Sequence, residues 1–375
     1  MTGLVVVSLE AWDDVWRRNQ HLVAGLLQSD PQLRVLFVEP AADPLHAATT
    51  GGRPKRGRDL RRAPALPDIE PGHLWLYEPT KWLPRRMDQR LDHRWAATVG
   101  RAAHRIRLHA PRLWVNSPSG AHVLAQTGWP ALYDITDDWL AAHRSPAEHQ
   151  RLAREEVYLL EHCDEVVVCS PSLRRSKHPR RVTLIPNAVD VELYRIPHGR
   201  PDDLPSGPYA VYVGTLHTDR LDVGLCEATA RALGADGRLV LVGPELLSPH
   251  ERVRLETAGA VLLGRRHHTA VPAYLQHAEV LVVPHLVNAF TESLDPIKAY
   301  EYAAVGRPVV TTPVAGFREL ADGRVTVIEG AQFPAAVRRA LAGPSPGPTS
   351  PRLPVPSWGD RVEQMRIVLE RLSSR

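Results

Sequence analysis

The chain has 375 residues, of which 43% are hydrophobic and 23% charged, and its formal net charge is +4. Because a single hydrophobic core stops growing at about 250–300 residues, this length predicts two domains, and the composition is that of a globular protein. No run approaches the roughly 18 consecutive apolar residues of a membrane-spanning helix, and Thr2–Leu9 is interpreted as a core strand rather than a signal peptide. Three cysteines without metal-ligand spacing are typical of reduced thiols, so a cytoplasmic location is expected.

The positive charge comes almost entirely from arginine. Among the 46 basic residues only Lys55, Lys81, Lys177 and Lys298 are lysines, and the chain also has 34 prolines. This bias is typical of the coding composition of actinomycetes, so the charge carries little functional weight and no nucleic-acid partner is expected. A lysine in this background indicates a position that requires lysine.

Short apolar strands alternate with helical patterns along the first half of the chain. Continuous apolar strands separated by helices indicate a parallel sheet covered on both faces, so a doubly wound α/β domain is predicted over residues 1–196. The arginine-rich segment Gly51–Arg62 is interpreted as a solvated loop, with contact to an anionic acceptor or a membrane surface as the alternative. The predicted strands are Leu4–Ser8, Val35–Glu39, Leu74–Tyr77, Leu113–Asn116, Leu132–Ile135, Glu165–Cys169 and Val182–Ile185, and the helices include Val15–Gln28, Met87–His109 and Pro146–His162.

A second α/β pattern follows the Pro-, Gly- and Asp-rich stretch Pro197–Pro208, which is predicted to be a linker. A second doubly wound domain is therefore predicted over 197–345, and residues 346–375 hold a Pro-rich stretch and a last helix, Trp358–Leu372, that returns to the first domain. Two Rossmann-like domains in tandem are expected to face a cleft, where strand ends and helix N-termini bind ligands. The second set of strands is Tyr209–Gly214, Leu239–Val242, Val261–Leu263, Val280–Val283, Val309–Thr311 and Val325–Ile328.

Several motifs of common enzyme classes are missing. The sequence has no G-x-G-x-x-G after its first strand and no G-x-x-x-x-G-K-S/T, which argues against a dehydrogenase and a P-loop enzyme. It also has no G-x-S-x-G elbow and no H-E-x-x-H. The pair His267–His268 lacks partners at metal-ligand spacing, so no metal site is predicted.

The segment Phe290–Thr312 carries the strongest chemical signal. A helix is predicted to begin near Asp295, which can cap it, with Pro296 at the first helical position. The backbone N–H groups of Ser293 and Leu294 would then form an anion site suited to a diphosphate.

Two charged residues follow on the same predicted helix. Lys298 and Glu301 are three residues apart and therefore share one face. The lysine could neutralise a phosphate, and the carboxylate could accept hydrogen bonds from a ribose diol. The alternative is an ordinary helix with an ion pair.

The segment Phe290–Thr312 resembles the donor-binding segment of group 1 glycosyltransferases, which are family 4-like and have two Rossmann-like domains (the GT-B fold). The resemblance is closest to the transferases of teichuronic-acid biosynthesis, and it extends over most of the chain. Further landmarks in matching order are Leu4–Gln20 with Trp12, Trp16 and Arg17, Tyr133–Trp139, Val168–Leu173, Ile185–Asp190 and Val213–Thr215.

The resemblance implies roles for residues of the second domain. Glu301 matches a glutamate that holds the nucleotide ribose, and Gly214 opens the donor domain. Arg220 is placed to reach the diphosphate, with a first-turn surface arginine as the alternative. Arg265 is placed to lie near the base, and a position without a ligand contact is the alternative. Ser293 stands where the broader family has a glutamate that contacts the donor sugar, so the sugar's identity stays open.

Candidate residues of the first domain follow from the same resemblance and from strand-end positions. Asp134, Asp137 and Asp138 end a predicted strand, and capping of a turn is the alternative role for one of them. Asp134, Asp137 and His122 are the candidate catalytic residues, with a structural role as the alternative for His122. The candidate acceptor-binding residues are Trp12, Asp13 and Asp138.

The resemblance implies transfer of a sugar from a UDP-, dTDP- or GDP-linked donor to a hydroxyl group, with retention of configuration. The nucleotide-sugar is a co-substrate, and no cofactor or metal is expected because cationic and amide groups can stabilise the leaving phosphate. The expected acceptor is a cell-envelope glycan or an antibiotic-type aminocyclitol, including a phosphorylated, guanidino- or amino-cyclitol. Two alternatives stay open: a nucleotide-sugar epimerase and a non-catalytic binding paralogue.

Overall fold

The computed structural model describes residues 3–49, 53–83, 85, 87–88, 90–142, 144–177, 181–318, 323–343 and 354–372. The chain divides into two compact units. The first consists of Met1–Leu140, Arg144–Pro186 and Gly359–Arg375, and the second of Ala141–His143 and Asn187–Trp358. No helix in the described parts of the chain is both long enough and apolar enough to cross a lipid bilayer.

The first unit is built on an eight-stranded sheet with the order β3-β4-β2-β1-β5-β6-β7-β8. Neighbouring strands are parallel, except that β3 runs antiparallel to β4 at the edge. The strands are β1 (Leu4–Val7), β2 (Val35–Val38), β3 (Asp59–Arg62), β4 (Leu74–Glu78), β5 (Arg112–Val115), β6 (Ala131–Ile135), β7 (Glu165–Val168) and β8 (Val182–Leu184).

Helices of the first unit connect these strands. Helix α5 matches its predicted bounds because the Ser145 hydroxyl accepts from the Glu148 N–H and Pro146 begins the first turn. The helices are α1 (Arg18–Ser29), α2 (Pro44–Thr49), α3 (Leu91–Arg105), α4 (Gly120–Thr127), α5 (Pro146–His162) and α6 (Pro171–Ser176).

The second unit holds a six-stranded, fully parallel sheet with the order β11-β10-β9-β12-β13-β14. Its strands are β9 (Tyr209–Val213), β10 (Arg238–Val242), β11 (Val261–Gly264), β12 (Val280–Val283), β13 (Val309–Thr311) and β14 (Val325–Val327). The helices are α7 (Val191–Arg195), α8 (Val223–Leu233), α9 (Pro249–Thr257), α10 (Val271–Gln276), α11 (Ala289–Ser293), α12 (Ile297–Val305) and α13 (Phe333–Ala342). The last helix, α14 (Trp358–Arg371), belongs to the first unit except for its first residue.

The predicted doubly wound α/β architecture is confirmed in both units. Strand order reverses between β1 and β5 in the first sheet and between β9 and β12 in the second. In open α/β sheets, ligands bind beyond the carboxyl ends of the strands at such a switch point. The continuous apolar strands are buried as predicted, since all four residues of β1 and of β12 are buried.

One expectation for the first unit is corrected. Within the arginine-rich segment predicted as a loop, Asp59–Arg62 forms the edge strand β3, with Leu60 opposite Tyr77. Arg61 also donates a 2.6 Å hydrogen bond to the buried Glu39. The four residues have little intrinsic strand preference, so long-range pairing and this ion pair determine the strand. Residues 51 and 52 lie outside the described part.

Candidate functional site

Two glycines shape the carboxyl edge of the second sheet. Gly214 follows β9 with φ +153°, and Gly243 follows β10 with φ +146°. A Cβ atom on Gly243 would lie 2.0 Å from the carbonyl oxygen of Gly214, and one on Gly214 would lie 2.8 Å from the Lys298 Nζ. The absence of both side chains lets the two turns pack together and leaves room for the lysine.

Lys298 lies in the first turn of α12 and reaches the switch point of the second sheet. Its Nζ donates a 3.0 Å hydrogen bond to the Tyr212 hydroxyl and lies 3.3 Å from the His285 Nε2. The Tyr212 and His285 side chains are buried, and their polar atoms are 3.0 Å apart. Among the described residues, no carboxylate lies within ion-pair distance of this lysine.

A second cation adds to the positive potential at this point. Arg220 lies in the loop after β9, and its guanidinium stands 5.6 Å from the centre of the Phe290 ring. The Arg220 Nε is buried, and no described group accepts a hydrogen bond from it. Burial and the charge of Arg220 lower the pKa of Lys298 to about 7, and burial lowers the pKa of His285 well below its usual value. An anion bound here would favour the protonated lysine.

Glu301 lies on α12 after Lys298, and Tyr194 on α7 holds it. The Tyr194 hydroxyl donates a 2.5 Å hydrogen bond to Glu301 Oε1. Burial raises the pKa of Glu301, while Tyr194 and Lys298 lower it in part. Burial and the neighbouring carboxylate raise the pKa of Tyr194 well above its usual range, so the phenol stays a donor. The second oxygen, Oε2, has no protein partner among the described residues.

The predicted start of α12 is corrected. Its N-cap is Pro296, without a side-chain capping bond, and Asp295 does not cap it. The Asp295 carboxylate instead accepts from the Asn187 N–H at 2.5 Å and from the Tyr300 hydroxyl at 2.8 Å. These contacts occupy the carboxylate oxygens that were predicted to cap the first turn of α12.

The other predicted donor-site residues lie apart from this cluster or serve the fold locally. Ser293 ends α11, is buried, and donates to the Phe290 carbonyl at 2.7 Å. Leu294 is the C-terminal cap of α11. Arg265 is exposed after β11, which is two strands away from β9. The structure therefore brings Gly214, Lys298 and Glu301 together with Arg220, but leaves Arg265 at the sheet edge.

In the first unit, Asp134 is completely buried and paired with Arg18. Its two oxygens accept from the Arg18 Nε and Nη2, each at 3.1 Å, and Oδ2 also accepts from the Trp114 Nε1 at 3.2 Å. With 0% exposure, Asp134 has no oxygen that a substrate could reach. Asp134 was predicted to be catalytic, but its position supports a structural role in the ion pair with Arg18.

Four further candidate residues of the first unit form hydrogen bonds or ion pairs within the protein. Asp138 forms a 2.8 Å ion pair with Lys177, and Asp137 accepts from the Thr136 hydroxyl at 3.0 Å. Trp12 is buried beside Phe37, and its backbone N–H donates to Glu39. Asp13 accepts from the Val15 N–H and lies 3.5 Å from Arg17.

His122 lies in a small charged cluster. Its Nε2 is 3.1 Å from Glu155 and 3.9 Å from Asp92, and these three side chains could together offer three ligand atoms to a metal. Arg85 binds Asp92 at 2.9 Å and Arg151 binds Glu155 at 2.7 Å. Because each carboxylate already has a guanidinium partner, the cluster is electrostatically balanced without a metal ion.

A cavity of about 830 Å³ lies at the carboxyl edge of the first sheet. The ends of β1 and β4 and one face of α3 line it, through Ser8, Tyr77, Trp95 and Arg101 among others. The cavity thus occupies the part of the first unit where doubly wound folds bind ligands.

Sequence reasoning missed four residues of these two sites: Tyr212, His285, Tyr194 and Arg18. Tyr212 and His285 carried a weak signal, because each lies within two residues of the carboxyl end of a predicted strand. Tyr194 and Arg18 carried none, since their partners are 107 and 116 positions away in the sequence.

Comparison with known proteins identifies glycosyltransferases that this chain resembles. Residues 207–342 match the family described as glycosyl transferases group 1, and this segment lies inside the second unit. The putative teichuronic acid biosynthesis glycosyltransferase TuaH of Bacillus subtilis (strain 168) is 23% identical over 220 residues. That match covers 53% of this chain and 55% of the relative, so the chain spans about half the length of the curated relative it matches.

Solved structures show that the chain has the GT-B fold. Sucrose-phosphate synthase from Thermosynechococcus elongatus superposes with a TM-score of 0.66 at 20% identity, over 99% of both chains. Alr3699/HepE from Anabaena, solved with UDP and glucose, gives 0.63 at 14% identity, over 99% of this chain and 100% of that one. The UDP-forming trehalose-phosphate synthase of Burkholderia vietnamiensis gives 0.61 at 16% identity, over 100% and 96%.

Proposed function

We propose that this protein is a glycosyltransferase that moves the sugar of a UDP-, dTDP- or GDP-linked donor to a hydroxyl group of an acceptor. The observation that carries the proposal is the cluster at the switch point of the second sheet. There Lys298 and Arg220 have no carboxylate partner among the described residues, and Glu301 follows on the same helix as the lysine. The match of residues 207–342 to group 1 glycosyl transferases supports the same function.

The cluster suits a nucleoside diphosphate. The two cations would bind the phosphates, and the turn at Gly214 lets the backbone approach them closely. The free oxygen of Glu301 would accept a hydrogen bond from a ribose hydroxyl, while Tyr194 keeps the carboxylate in place. The ribose and the diphosphate would thus be held by one unit.

The same groups would assist the chemical step. As the bond from the sugar to the diphosphate breaks, negative charge builds on the leaving phosphate oxygen. Preorganised cations in a partly buried site stabilise that charge without solvent reorganisation. We therefore expect turnover without a metal ion, and by resemblance we expect retention of configuration.

The acceptor is proposed to bind in the first unit, whose cavity lies at the corresponding sheet edge. The match to TuaH, which is described as acting in teichuronic acid biosynthesis, favours a cell-envelope glycan as the acceptor. Asp137 and His122 are kept as candidates for contact with it, and Asp134 is not, because it is buried.

The test is donor binding and turnover by the purified protein. Calorimetry with UDP, dTDP and GDP should identify one nucleotide that binds, and the matching nucleotide-sugar should release free nucleotide, with or without a chelator. Lys298→Met should lose that binding, whereas Arg252→Met, an exposed arginine on α9, should keep it. Absence of binding to all three nucleotides would refute the proposal, and conversion of the sugar without nucleotide release would indicate an epimerase.

A further inference from the structure

Three segments of the first unit meet beyond the carboxyl ends of β2 and β4. The Ala42 N–H donates to the Pro79 carbonyl, and the Ala42 carbonyl accepts from the Lys81 N–H, which joins the start of α2 to the chain after β4. The Lys81 Nζ also binds Asp43 at 2.6 Å. The Gly57 N–H donates to the Thr80 hydroxyl at 2.9 Å. We call the surface formed by 44–49, 53–58 and the described residues of 81–88 the rim patch.

Four large apolar side chains of the rim patch point into solvent. They are exposed at the tips of a short helix and a loop, and helix α2 has no buried residue at all. Most proteins scatter such residues singly, so their concentration in one place marks an interaction surface. The exposed fractions are 45% for Leu45, 54% for Trp82, 40% for Leu83 and 66% for Met87.

The rim patch is also strongly basic. Residues 53–58 contain four basic and no acidic residues, and Arg53, Lys55 and Arg56 are exposed. The Arg56 guanidinium lies 4.7 Å from the centre of the Trp82 ring, so charge and aromatic surface are presented together. Lys81 is neutralised by Asp43, but among the described residues Arg53 and Lys55 face no carboxylate within ion-pair distance.

We propose that the rim patch docks this protein on an anionic membrane surface. Trp side chains favour the headgroup region, aliphatic tips insert just below it, and Lys and Arg bind anionic headgroups. A protein partner fits less well, because protein interfaces concentrate apolar area in a flat core from which lysine is depleted. Here exposed basic residues accompany apolar side chains that project from a short helix and a loop.

Docking in this way has a consequence for the cavity of the first unit. Trp82, Leu83 and Arg56 belong to the rim patch and also line that cavity. Membrane contact would therefore bring the cavity to the lipid surface. The inference itself does not depend on the proposed activity, because vesicle binding is measured without sugar or nucleotide.

The test is sedimentation of the full-length protein with lipid vesicles. Vesicles of phosphatidylcholine mixed with phosphatidylglycerol should bind the protein at low salt, and pure phosphatidylcholine vesicles should not. Since each basic residue near an anionic surface changes binding about fivefold, Lys55→Gln with Arg56→Gln should weaken it at least tenfold. Trp82→Ser with Met87→Ser should weaken it to a similar degree.

The matched control is Val253→Ser on α9 of the second unit. Val253 is 58% exposed between Arg252 and Arg254, but both arginines are paired with glutamates. This variant should bind vesicles like the wild type. Trp82→Phe keeps an aromatic ring and should still bind vesicles. Because it lacks the Trp82 indole, brominated lipids should quench a smaller fraction of the protein's tryptophan fluorescence.

Several results would overturn the proposal. They are no binding to anionic vesicles at low salt, equal binding to neutral vesicles, and full binding by the Trp82→Ser/Met87→Ser variant with an unchanged melting temperature. Equal weakening by Val253→Ser would also overturn it, because binding would then not be specific to the rim patch.

Discussion

The hydroxyl of Tyr194 donates a 2.5 Å hydrogen bond to Glu301 Oε1, which joins α7 to α12 across 107 positions of sequence. Tyr194 is 6% exposed, and its own helix is capped by Asp190, whose carboxylate accepts from the Leu193 N–H. The phenol therefore fixes one oxygen of the carboxylate and leaves the other for a ligand. This makes Tyr194 a positioning residue for the proposed ribose contact.

The first prediction concerns Tyr194→Phe. A hydrogen bond to a charged group is worth about 1.5–3 kcal/mol, so loss of the positioning should raise the donor KM about tenfold or more. Because Tyr194 lowers the pKa of Glu301, the variant should also lose donor binding at a higher pH than the wild type as the solution is acidified. Steady-state kinetics across pH measures both effects.

Tyr274→Phe is the control for this prediction. Tyr274 is also buried in the second unit, and its hydroxyl donates to Asp203 at 2.8 Å, away from α12. We expect it to lose some stability but to keep the wild-type donor KM. An unchanged KM in Tyr194→Phe would mean that Glu301 does not need the phenol to meet its ligand.

The second prediction is a pH dependence of nucleotide binding. Lys298 has a pKa of about 7 in the ligand-free protein, and a bound diphosphate would raise it. Binding should therefore take up a proton, and affinity should fall as the pH increases above about 7. Calorimetry in buffers of different ionisation enthalpy measures the uptake, and Lys298→Met should abolish it.

The same lysine should destabilise the ligand-free protein. Its pKa is about 7 when folded and near 10.5 ordinarily, so between these values the unfolded chain binds more protons and stability rises with pH. The destabilisation is complete below about pH 7, and it vanishes above pH 10.5. Lys298→Met should therefore raise Tm at neutral pH while it weakens nucleotide binding; a lower Tm would contradict this electrostatic account.

The third prediction separates structure from catalysis at Asp134. Asp134→Ala would break the buried ion pair with Arg18, and removing one partner of such a pair costs about 3–5 kcal/mol of unfolding free energy. Denaturant unfolding of the purified variant measures the loss. Arg18→Met with Asp134→Leu removes both charges and should recover most of the stability. A fully stable Asp134→Ala variant without turnover would instead assign the carboxylate to the reaction.

The fourth prediction concerns Gly243→Ala at the edge of the second sheet. The new Cβ would lie 2.0 Å from the Gly214 carbonyl oxygen, and φ is +146°. Overpacking and backbone strain together should cost about 2–5 kcal/mol and displace the turn at Gly214, so donor affinity should fall as well.

Gly259→Ala isolates the strain component. Gly259 has φ +94°, but a Cβ there would meet no atom within 4 Å. It should cost less stability than Gly243→Ala and leave donor affinity unchanged. Equal effects of the two variants on affinity would show that the contact with Gly214 is not what shapes the site.

Local sequence pattern was sufficient to predict the architecture. Strands such as β1 and β12 are uninterrupted runs of Leu and Val, which few arrangements other than a covered parallel sheet can bury. Helix α5 matched its bounds because its capping signal, Ser145 followed by Pro146, acts within one turn. The predicted roles of Lys298 and Glu301 came from spacing on one helix, a property that a sequence carries directly.

Only the tertiary structure decided which hydrogen-bond donor each carboxylate binds. Asp295 has the residue type of a helix cap, but Asn187 and Tyr300 bind its oxygens, so α12 begins without it. Asp134 ends a strand as an active-site carboxylate would, but Arg18 lies against it and removes it from solvent. A carboxylate binds whichever donor the fold brings within reach, and that donor can be more than 100 positions away.

The sequence by itself thus determined most of the strands and helices and which helix carries the charges proposed to bind phosphate, because these depend on hydrophobic period and short spacing. The tertiary structure decided which polar groups are free to meet a ligand. Lys298 is left with neutral Tyr212 and His285, while Asp134 is neutralised. Burial is the physical reason, because a charged group removed from water needs a partner. Asp134 has that partner in Arg18, whereas Lys298 is left to bind an anionic ligand from solution.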